Sequence, residues 1–141
     1  MIDKNCAYCM EGELVSKFGI PVCELPASKV YLFREQSHRG RCIVASKHHV
    51  SELVDLSEEE RNAFFADVAK VANAIHAAFK PKKVNYGAYG DTGCHLHFHL
   101  VPKYEDDEFE WGSTFAMNPD RKYLTPAEYS ALVAAIRLRL K

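Results

Sequence analysis

Apolar and polar residues alternate strictly along residues 95–101, which read His-Leu-His-Phe-His-Leu-Val. Successive side chains of a β-strand point to opposite faces, so this alternation predicts a strand with three imidazoles on one face and an apolar row on the other. Neighbours on one face lie roughly 6.5 to 7 Å apart, and charging three imidazoles so close together would be costly. The pattern therefore indicates that one face of the strand packs in a hydrophobic core and that the other face belongs to a functional site.

Four further segments have the composition of short strands, at residues 20–25, 30–33, 41–45 and 84–89. Pro26-Ala27-Ser28 separates the first two, which predicts a hairpin or meander. The turn Gly90-Asp91-Thr92-Gly93 connects the last of them to the histidine strand. Its glycines allow a close backbone approach, and Thr92, with Asn85 on the preceding strand, supplies neutral donors for a phosphate beside the imidazoles.

Two capping boxes mark the starts of helices. Ser57 and Glu60 precede an apolar pattern of helical spacing that continues to Pro81, which predicts a long helix laid on a sheet. Thr125 and Glu128 open a second, amphipathic helix at the carboxyl end. Its apolar stripe consists of Tyr129, Leu132, Val133, Ile136 and Leu140. Between the helices, residues 105–121 combine an acidic run with aromatic side chains, which indicates an irregular covering segment.

Composition narrows the class of protein. A chain of 141 residues predicts one domain, and a formal net charge of −1 offers no broad field for nucleic acid or an anionic membrane. The amino terminus lacks the pattern of an export signal and the apolar runs are too short to span a membrane, so we expect a cytoplasmic protein. Five cysteines, an odd number, then favour reduced thiols over a disulfide framework.

Cys6-Ala7-Tyr8-Cys9 has the spacing of half a tetrahedral zinc site, whose other ligands must come from elsewhere in the chain. The alternative is a pair of small buried thiols. His48 and His49 follow the third predicted strand, and adjacent residues cannot both point to one face of a strand. At most one of these two histidines is therefore expected to face a site there.

The histidine row itself has three interpretations. Alternating histidines on a strand can hold a catalytic metal, can be three surface residues, or can include a nucleophile, because a neutral imidazole attacks phosphorus at neutral pH. The physical chemistry of the row does not separate the metal from the nucleophile. The polar loop between the second and third predicted strands, residues 34–41, either faces an anionic substrate or is a solvated connection.

Residues 95–101 match, position by position, the histidine-triad signature His-φ-His-φ-His-φ-φ, in which φ is apolar. The chain from about residue 6 to 104 resembles the histidine triad (HIT) superfamily in other features and in the same order: Cys-x-x-Cys, a strand ending in Lys47-x-His49, a long helix, Asn85 on a strand, and a turn with Gly90 and Thr92. The resemblance implies an α+β fold with a mostly antiparallel five-stranded sheet, a long helix and a C-terminal helix, paired in a homodimer.

The same resemblance implies a hydrolase or transferase that acts at the α-phosphate of a nucleoside phosphoanhydride or phosphoramidate, with adenine the favoured base. His97 would be the nucleophile that becomes nucleotidylated, His99 would bind the phosphate and assist proton transfer, and His95 would orient the site. The implied substrate-binding residues are Asn85, Thr92, Gly90, Arg41 and, for the ribose hydroxyls, Glu35. A nucleotide-binding regulatory module with little turnover is the alternative function.

In zinc-containing relatives the cysteine pair joins two histidines, which by resemblance implies a structural zinc site formed by Cys6, Cys9, His49 and His95. The chain departs from the family pattern at Arg41, where a histidine is common, and at Asp91, where glutamine is common. Arg41 would replace a proton-shuttling group with a fixed charge. We expect a single domain over residues 1–141, with a shared core at about 6–104 and a tail and terminal helix at 105–141.

Overall fold

Five strands form one antiparallel sheet in the computed structural model, which describes residues 3–106, 111–112 and 121–140. The strands are β1 (Gly19–Glu24), β2 (Ser28–Phe33), β3 (Cys42–Ser46), β4 (Lys83–Gly87) and β5 (His97–Lys103). The helices are α1 (Ala7–Met10), α2 (Gly12–Ser16), α3 (Glu58–Phe79) and α4 (Pro126–Arg139), and a 3₁₀ turn lies at Leu53–Asp55. The order across the sheet is β1-β2-β3-β5-β4, with every neighbouring pair antiparallel. The predicted α+β class with a five-stranded antiparallel sheet is confirmed.

The two faces of the sheet pack against different layers. One face carries Leu32, Val44 and Leu100, which are buried with the apolar residues of α3 and α4 in the main core. The opposite face carries Tyr31, Ile43 and Ala45, which are buried with residues of the amino-terminal segment in a smaller cluster. The long helix is thus on the side of the sheet opposite to that of α1 and α2.

The predicted capping boxes are present at both long helices. Ser57 accepts a hydrogen bond from the Glu60 amide and Glu60 accepts one from the Ser57 amide, and Thr125 and Glu128 make the same reciprocal pair. Each pair satisfies two amide groups at a helix end that have no partner within the helix. Of the described helices, none has both the length and the apolar character required to cross a bilayer.

The histidine strand begins two residues later than predicted, because β5 starts at His97 and His95 precedes it. Residues 88–96 form the connection from β4, so the turn at Gly90 is part of a longer loop than expected. The His95 amide donates to the Gly93 carbonyl at 2.8 Å, which holds this residue in the loop instead of the sheet. Leu96 still packs in the main core, as predicted, with Phe98 and Leu100.

Two short helices, α1 and α2, were not predicted, since segments of four and five residues show no helical periodicity. Most of the acidic and aromatic segment at 105–121 lies outside the described residues. Within it, the Trp111 ring lies 5.4 Å from Lys82 Nζ and 5.8 Å from Lys103 Nζ. This indole contacts the end of the β4–β5 hairpin.

Replacing Gly40 with alanine is expected to destabilise the protein by about 2–5 kcal/mol, the sum of left-handed backbone strain and overpacking. Gly40 has φ +92°, and a Cβ atom there would lie 2.5 Å from Cδ2 of the Phe79 ring. Gly93→Ala is the matched control, because a Cβ atom at Gly93 meets nothing within 4 Å. Urea unfolding of both variants measures the difference, and equal midpoints would contradict the expected clash.

Candidate active site and metal centre

His97 and His99 lie on the sheet face that carries the smaller cluster, opposite Ala45 and Ile43 of β3. Their ring centroids are 5.3 Å apart and the planes are nearly perpendicular, at 71°. The apolar residues between them fix this placement, because Phe98 and Leu100 belong to the main core on the other face. A slip of one residue would turn the imidazoles into the apolar main core on the other face, so the alternation also fixes the register.

The tautomer of His97 is set by the main chain. Its Nδ1 atom lies 2.6 Å from the carbonyl oxygen of His95. A carbonyl oxygen only accepts hydrogen bonds, so Nδ1 carries the hydrogen and Nε2 retains its lone pair. Burial lowers the pKa of His97, although its hydrogen bond to His95 opposes that shift. His97 is therefore a neutral imidazole whose Nε2 atom is available as a nucleophile.

His99 has the opposite tautomer, because Arg41 occupies its Nδ1 atom. The Nε atom of Arg41 donates to His99 Nδ1 at 3.3 Å, and Nη2 lies 3.0 Å from the same atom. A guanidinium only donates, so Nδ1 of His99 is the acceptor and Nε2 carries the hydrogen. Burial lowers the pKa of His99 to about 3, helped by the charges of Arg41 and His97.

Arg41 is itself buried and held from two sides. Its guanidinium carbon lies 4.4 Å from the centroid of the Phe33 ring, and the same ring makes an edge contact with His99 at 5.4 Å. Burial lowers the pKa of Arg41 to about 10, with the charges of Glu35 and Tyr89 opposing the shift, so the group stays charged at neutral pH. A fixed positive charge thus lies behind the histidine pair.

The four predicted metal ligands come together at the amino-terminal end of β5. One ligand atom from each of Cys6, Cys9, His49 and His95 lies within 4.8 Å of all the others. Nδ1 of His95 is 3.4 Å from Cys6 Sγ, 3.7 Å from Cys9 Sγ and 3.1 Å from His49 Nδ1. Zinc bonds of about 2.3 Å to sulfur and 2.0 to 2.1 Å to nitrogen would separate tetrahedral ligands by about 3.3 to 3.8 Å, so these residues form a possible metal site.

Groups around this cluster set its histidines for metal binding. Nε2 of His95 lies 2.6 Å from the Ser46 carbonyl oxygen and donates to it, which leaves Nδ1 with its lone pair toward the cysteines. Nε2 of His49 lies 3.9 Å from a carboxylate oxygen of Asp3. His48 lies outside the cluster, exposed, with Nε2 3.4 Å from Glu60. As predicted, only one of the two adjacent histidines faces the site.

A cavity of about 750 Å³ opens over the histidines. Its lining residues come from the amino-terminal segment, the middle strands and the loop before β5: Asp3, Asn5, Cys6, Ala7, Tyr8, Phe18, Phe33, Arg41, Ile43, His49, Tyr89, Gly90, Asp91, Thr92, Gly93, Cys94, His95, His97 and His99. This volume is within the range of small-molecule sites. The cavity brings the three histidines together with Arg41, Gly90 and Thr92.

Two predicted substrate-binding residues lie outside this cavity. Asn85 is opposite Val101 and lines a separate cavity of about 200 Å³ with Lys83 and Lys103. Glu35 is buried and accepts hydrogen bonds from the amides of Ser37, at 3.0 Å, and Lys122, at 2.9 Å. In this conformation Glu35 connects the loop after β2 to the segment before α4.

Sequence reasoning missed two aromatic residues of the site. Tyr8 lies between the cysteines, and its ring centroid is 5.0 Å from that of His97 and 5.3 Å from that of His95. Phe33 contacts both Arg41 and His99. The signal for Tyr8 was its position inside Cys-x-x-Cys, and that for Phe33 was its alternation with Tyr31 along β2.

Comparisons with known proteins agree with this architecture. A histidine triad protein of Bradyrhizobium japonicum superposes with a TM-score of 0.83 at 19% identity, over 92% of this chain and 96% of that one. A Zn-bound histidine triad family protein of Mycobacterium smegmatis gives 0.69 at 22% identity, over 96% and 93%. The adenosine 5'-monophosphoramidase hnt1 of Schizosaccharomyces pombe is 24% identical over 146 residues, covering 97% of this chain and 99% of that protein.

The family model described as the HIT domain matches residues 23–106, more than half of the chain. That range contains β2 to β5, α3 and all three histidines of the row. It also contains Arg41 and two of the four possible metal ligands, while the cysteine pair precedes it. By sequence match and by fold, the chain belongs to the HIT domain family.

Proposed function

We propose that the protein is a nucleotide hydrolase or transferase that acts at an α-phosphate through a nucleotidyl intermediate on His97. The observation that carries this proposal is the hydrogen bond of His97 Nδ1 to the His95 carbonyl oxygen, at 2.6 Å. It leaves Nε2 as the only nucleophilic atom of a neutral ring in a cavity that also contains a buried cation. A phosphorus atom is the electrophile that such an arrangement suits, because its oxygens need positive charge and hydrogen-bond donors nearby.

In the first step, the lone pair on Nε2 of His97 forms a bond to the α-phosphorus, and the leaving group departs with the electron pair of the bond that breaks. Nδ1 keeps its hydrogen, which it donates to the His95 carbonyl oxygen, so the substituted ring is a cation that leaves readily. His99 Nε2–H, Arg41 and the loop at Gly90 and Thr92 supply donors for the phosphoryl oxygens. In the second step, water attacks the same phosphorus, and the electron pair of the P–N bond returns to Nε2, so His97 is again neutral. The attacking water loses one proton to solvent, and the product is the nucleoside monophosphate.

Adenine is the base that we propose for the substrate. The support is the name of the S. pombe relative, an adenosine 5'-monophosphoramidase, together with the apolar side of the cavity at Ala7, Tyr8 and Phe33. Flat apolar and aromatic side chains stack on purine rings. The roles of Asn85 as a phosphate clamp and Glu35 at the ribose stay predictions, since both residues lie outside the cavity.

We propose zinc as the metal of the four-residue cluster, in a structural role. Two thiolates and two imidazoles form a closed tetrahedral set that suits zinc and has no open position for a substrate. A Zn-bound relative of this family supports the choice. The homodimer and the cytoplasmic location that the sequence predicts are further proposals for the whole protein.

Trapping the covalent intermediate tests the proposed function. The protein mixed with diadenosine tetraphosphate or adenosine 5'-phosphoramidate, quenched in alkali and digested, is expected to yield one peptide with an adenylyl group on His97. A P–N bond to imidazole survives alkali and breaks in acid, so acid treatment of the same digest removes the group. Binding of AMP with no adduct and no turnover of any candidate would favour the regulatory module instead.

A further inference from the structure

Arg41, His99 and Phe33 form one packed unit beside the nucleophile. Arg41 contributes its guanidinium from the residue before β3, and His99 contributes its ring from β5. Phe33 supplies the aromatic ring that both groups contact. Both Nε and Nη2 of Arg41 lie within hydrogen-bond distance of one atom, His99 Nδ1. The His99 imidazole is therefore held with Nδ1 as the acceptor. A ring flip would place the Nε2–H donor against the buried Arg41 guanidinium, which is also a donor.

This arrangement decides which protons His99 can give. An imidazolium is the form of histidine that acts as a general acid, and it has hydrogens on both nitrogens. A hydrogen on Nδ1 would point at the Arg41 guanidinium, which has none of the acceptors that such a hydrogen requires. The remaining hydrogen, on Nε2, belongs to a neutral ring, and its loss would create an imidazolate anion. His99 can donate a hydrogen bond, but it cannot hand a proton to a leaving group.

The chemical classes of substrate differ in this requirement. When the bond to the α-phosphorus of a phosphoanhydride breaks, the bridging oxygen keeps the electron pair and departs on a phosphate group as a stable anion. When the P–N bond of a phosphoramidate breaks, the nitrogen keeps the pair and must gain a proton, since an amide anion is not a viable leaving group in water. A fixed cation at Arg41 favours the first departure and does nothing for the second.

We propose that this site selects phosphoanhydrides, such as dinucleoside polyphosphates, over phosphoramidates, because Arg41 holds His99 as a neutral donor with no proton to transfer. This inference rests on the proposed function of His97 and differs from the proton-transfer role that the family resemblance implies for His99. Arg41 acts as a positioning residue for His99, and its fixed positive charge also stabilises the negative charge that develops on the leaving group. General acid catalysis contributes roughly 10²- to 10⁴-fold, so we expect a preference of at least about 100-fold in kcat/KM.

A leaving-group series on the full chain tests this inference. Aryl esters of AMP with p-nitrophenol and phenol differ in how stable the departing anion is, and they share every other contact. For the wild-type protein, we expect a much higher kcat/KM for the nitrophenyl ester than for the phenyl ester. We also expect a much higher kcat/KM for diadenosine tetraphosphate than for adenosine 5'-phosphoramidate. Arg41→His introduces a group that can carry a proton, so it should reduce both kcat/KM ratios by roughly tenfold or more. Arg34→His is the matched control, because Arg34 stacks on Tyr129 and does not line the cavity.

The ¹⁵N shifts of labelled His99 at neutral pH give a readout independent of turnover. We expect a protonated Nε2 and an unprotonated Nδ1 in the wild-type protein, so a protonated Nδ1 would overturn the inference even if Arg41→His fails to fold. Adenylylation of His97 with equal kcat/KM for phosphoramidate and phosphoanhydride would overturn the inference and leave the proposed function intact. Absence of both turnover and adduct would overturn both.

Discussion

Replacing His97 with asparagine is expected to lower kcat by roughly 10⁴-fold or more, the scale of loss seen when an enzyme loses its nucleophile. The asparagine amide nitrogen overlaps the position of Nδ1 and can still donate to the His95 carbonyl oxygen, a contact of 2.6 Å in the native protein. The atom that it cannot replace is Nε2. The substitution thus removes the attack on phosphorus while leaving the local hydrogen bond, which makes kcat the quantity that should change.

Steady-state kinetics and AMP binding separate this loss from a loss of structure. The dissociation constant of AMP should stay within a few fold of the native value, because the lining of the cavity is otherwise unchanged. His76→Asn is a suitable control, since His76 is an exposed histidine in the last turn of α3 and does not line the cavity. A His97→Asn protein with more than a tenth of the native kcat would rule out nucleotidylation of this residue.

Local rules explain the parts of the fold that the sequence predicts well. The capping boxes at Ser57 and Thr125 are complete within four residues, so the first turns of α3 and α4 need no information from distant segments. The alternation around Phe98 predicts the two faces of the strand correctly for the same reason. Successive residues of a strand point to opposite faces wherever the strand lies in the fold. Only the bounds shift, as in β5, which starts at His97.

Contacts between distant segments explain the rest. His95 lies just before the strand, where its Nδ1 atom faces Cys6 and Cys9, which are more than eighty residues away in the chain. The pairing of Arg41 with His99 spans 58 residues, and no spacing rule connects the two. The sequence therefore indicates which side chains are candidates for catalysis and metal binding. The tautomers of the histidines depend on neighbours that only the folded chain supplies.

The metal cluster carries the second large expected effect. Replacing Cys6 with serine is expected to lower the melting temperature by about 10 °C or more, because a metal bound at a thousand times its dissociation constant adds about 4 kcal/mol to the native state. Cys6 and Cys9 connect the amino-terminal segment to His49, after β3, and to His95, just before β5. The described apolar cluster beneath that segment is small. Calorimetry with and without a chelator, together with elemental analysis of zinc, measures the effect.

Cys94→Ser is the matched control for this substitution. Cys94 is exposed and adjacent to His95, yet it is not part of the four-residue cluster. The control should bind one metal ion per chain and lose stability on chelation, as the wild-type protein does, whereas Cys6→Ser should melt at the same temperature with or without chelator. Since the His95 carbonyl oxygen also holds the tautomer of His97, metal removal should lower kcat as well as stability. Equal zinc contents in the wild-type and Cys6→Ser proteins, with equal melting temperatures, would contradict a structural zinc site at this four-residue cluster.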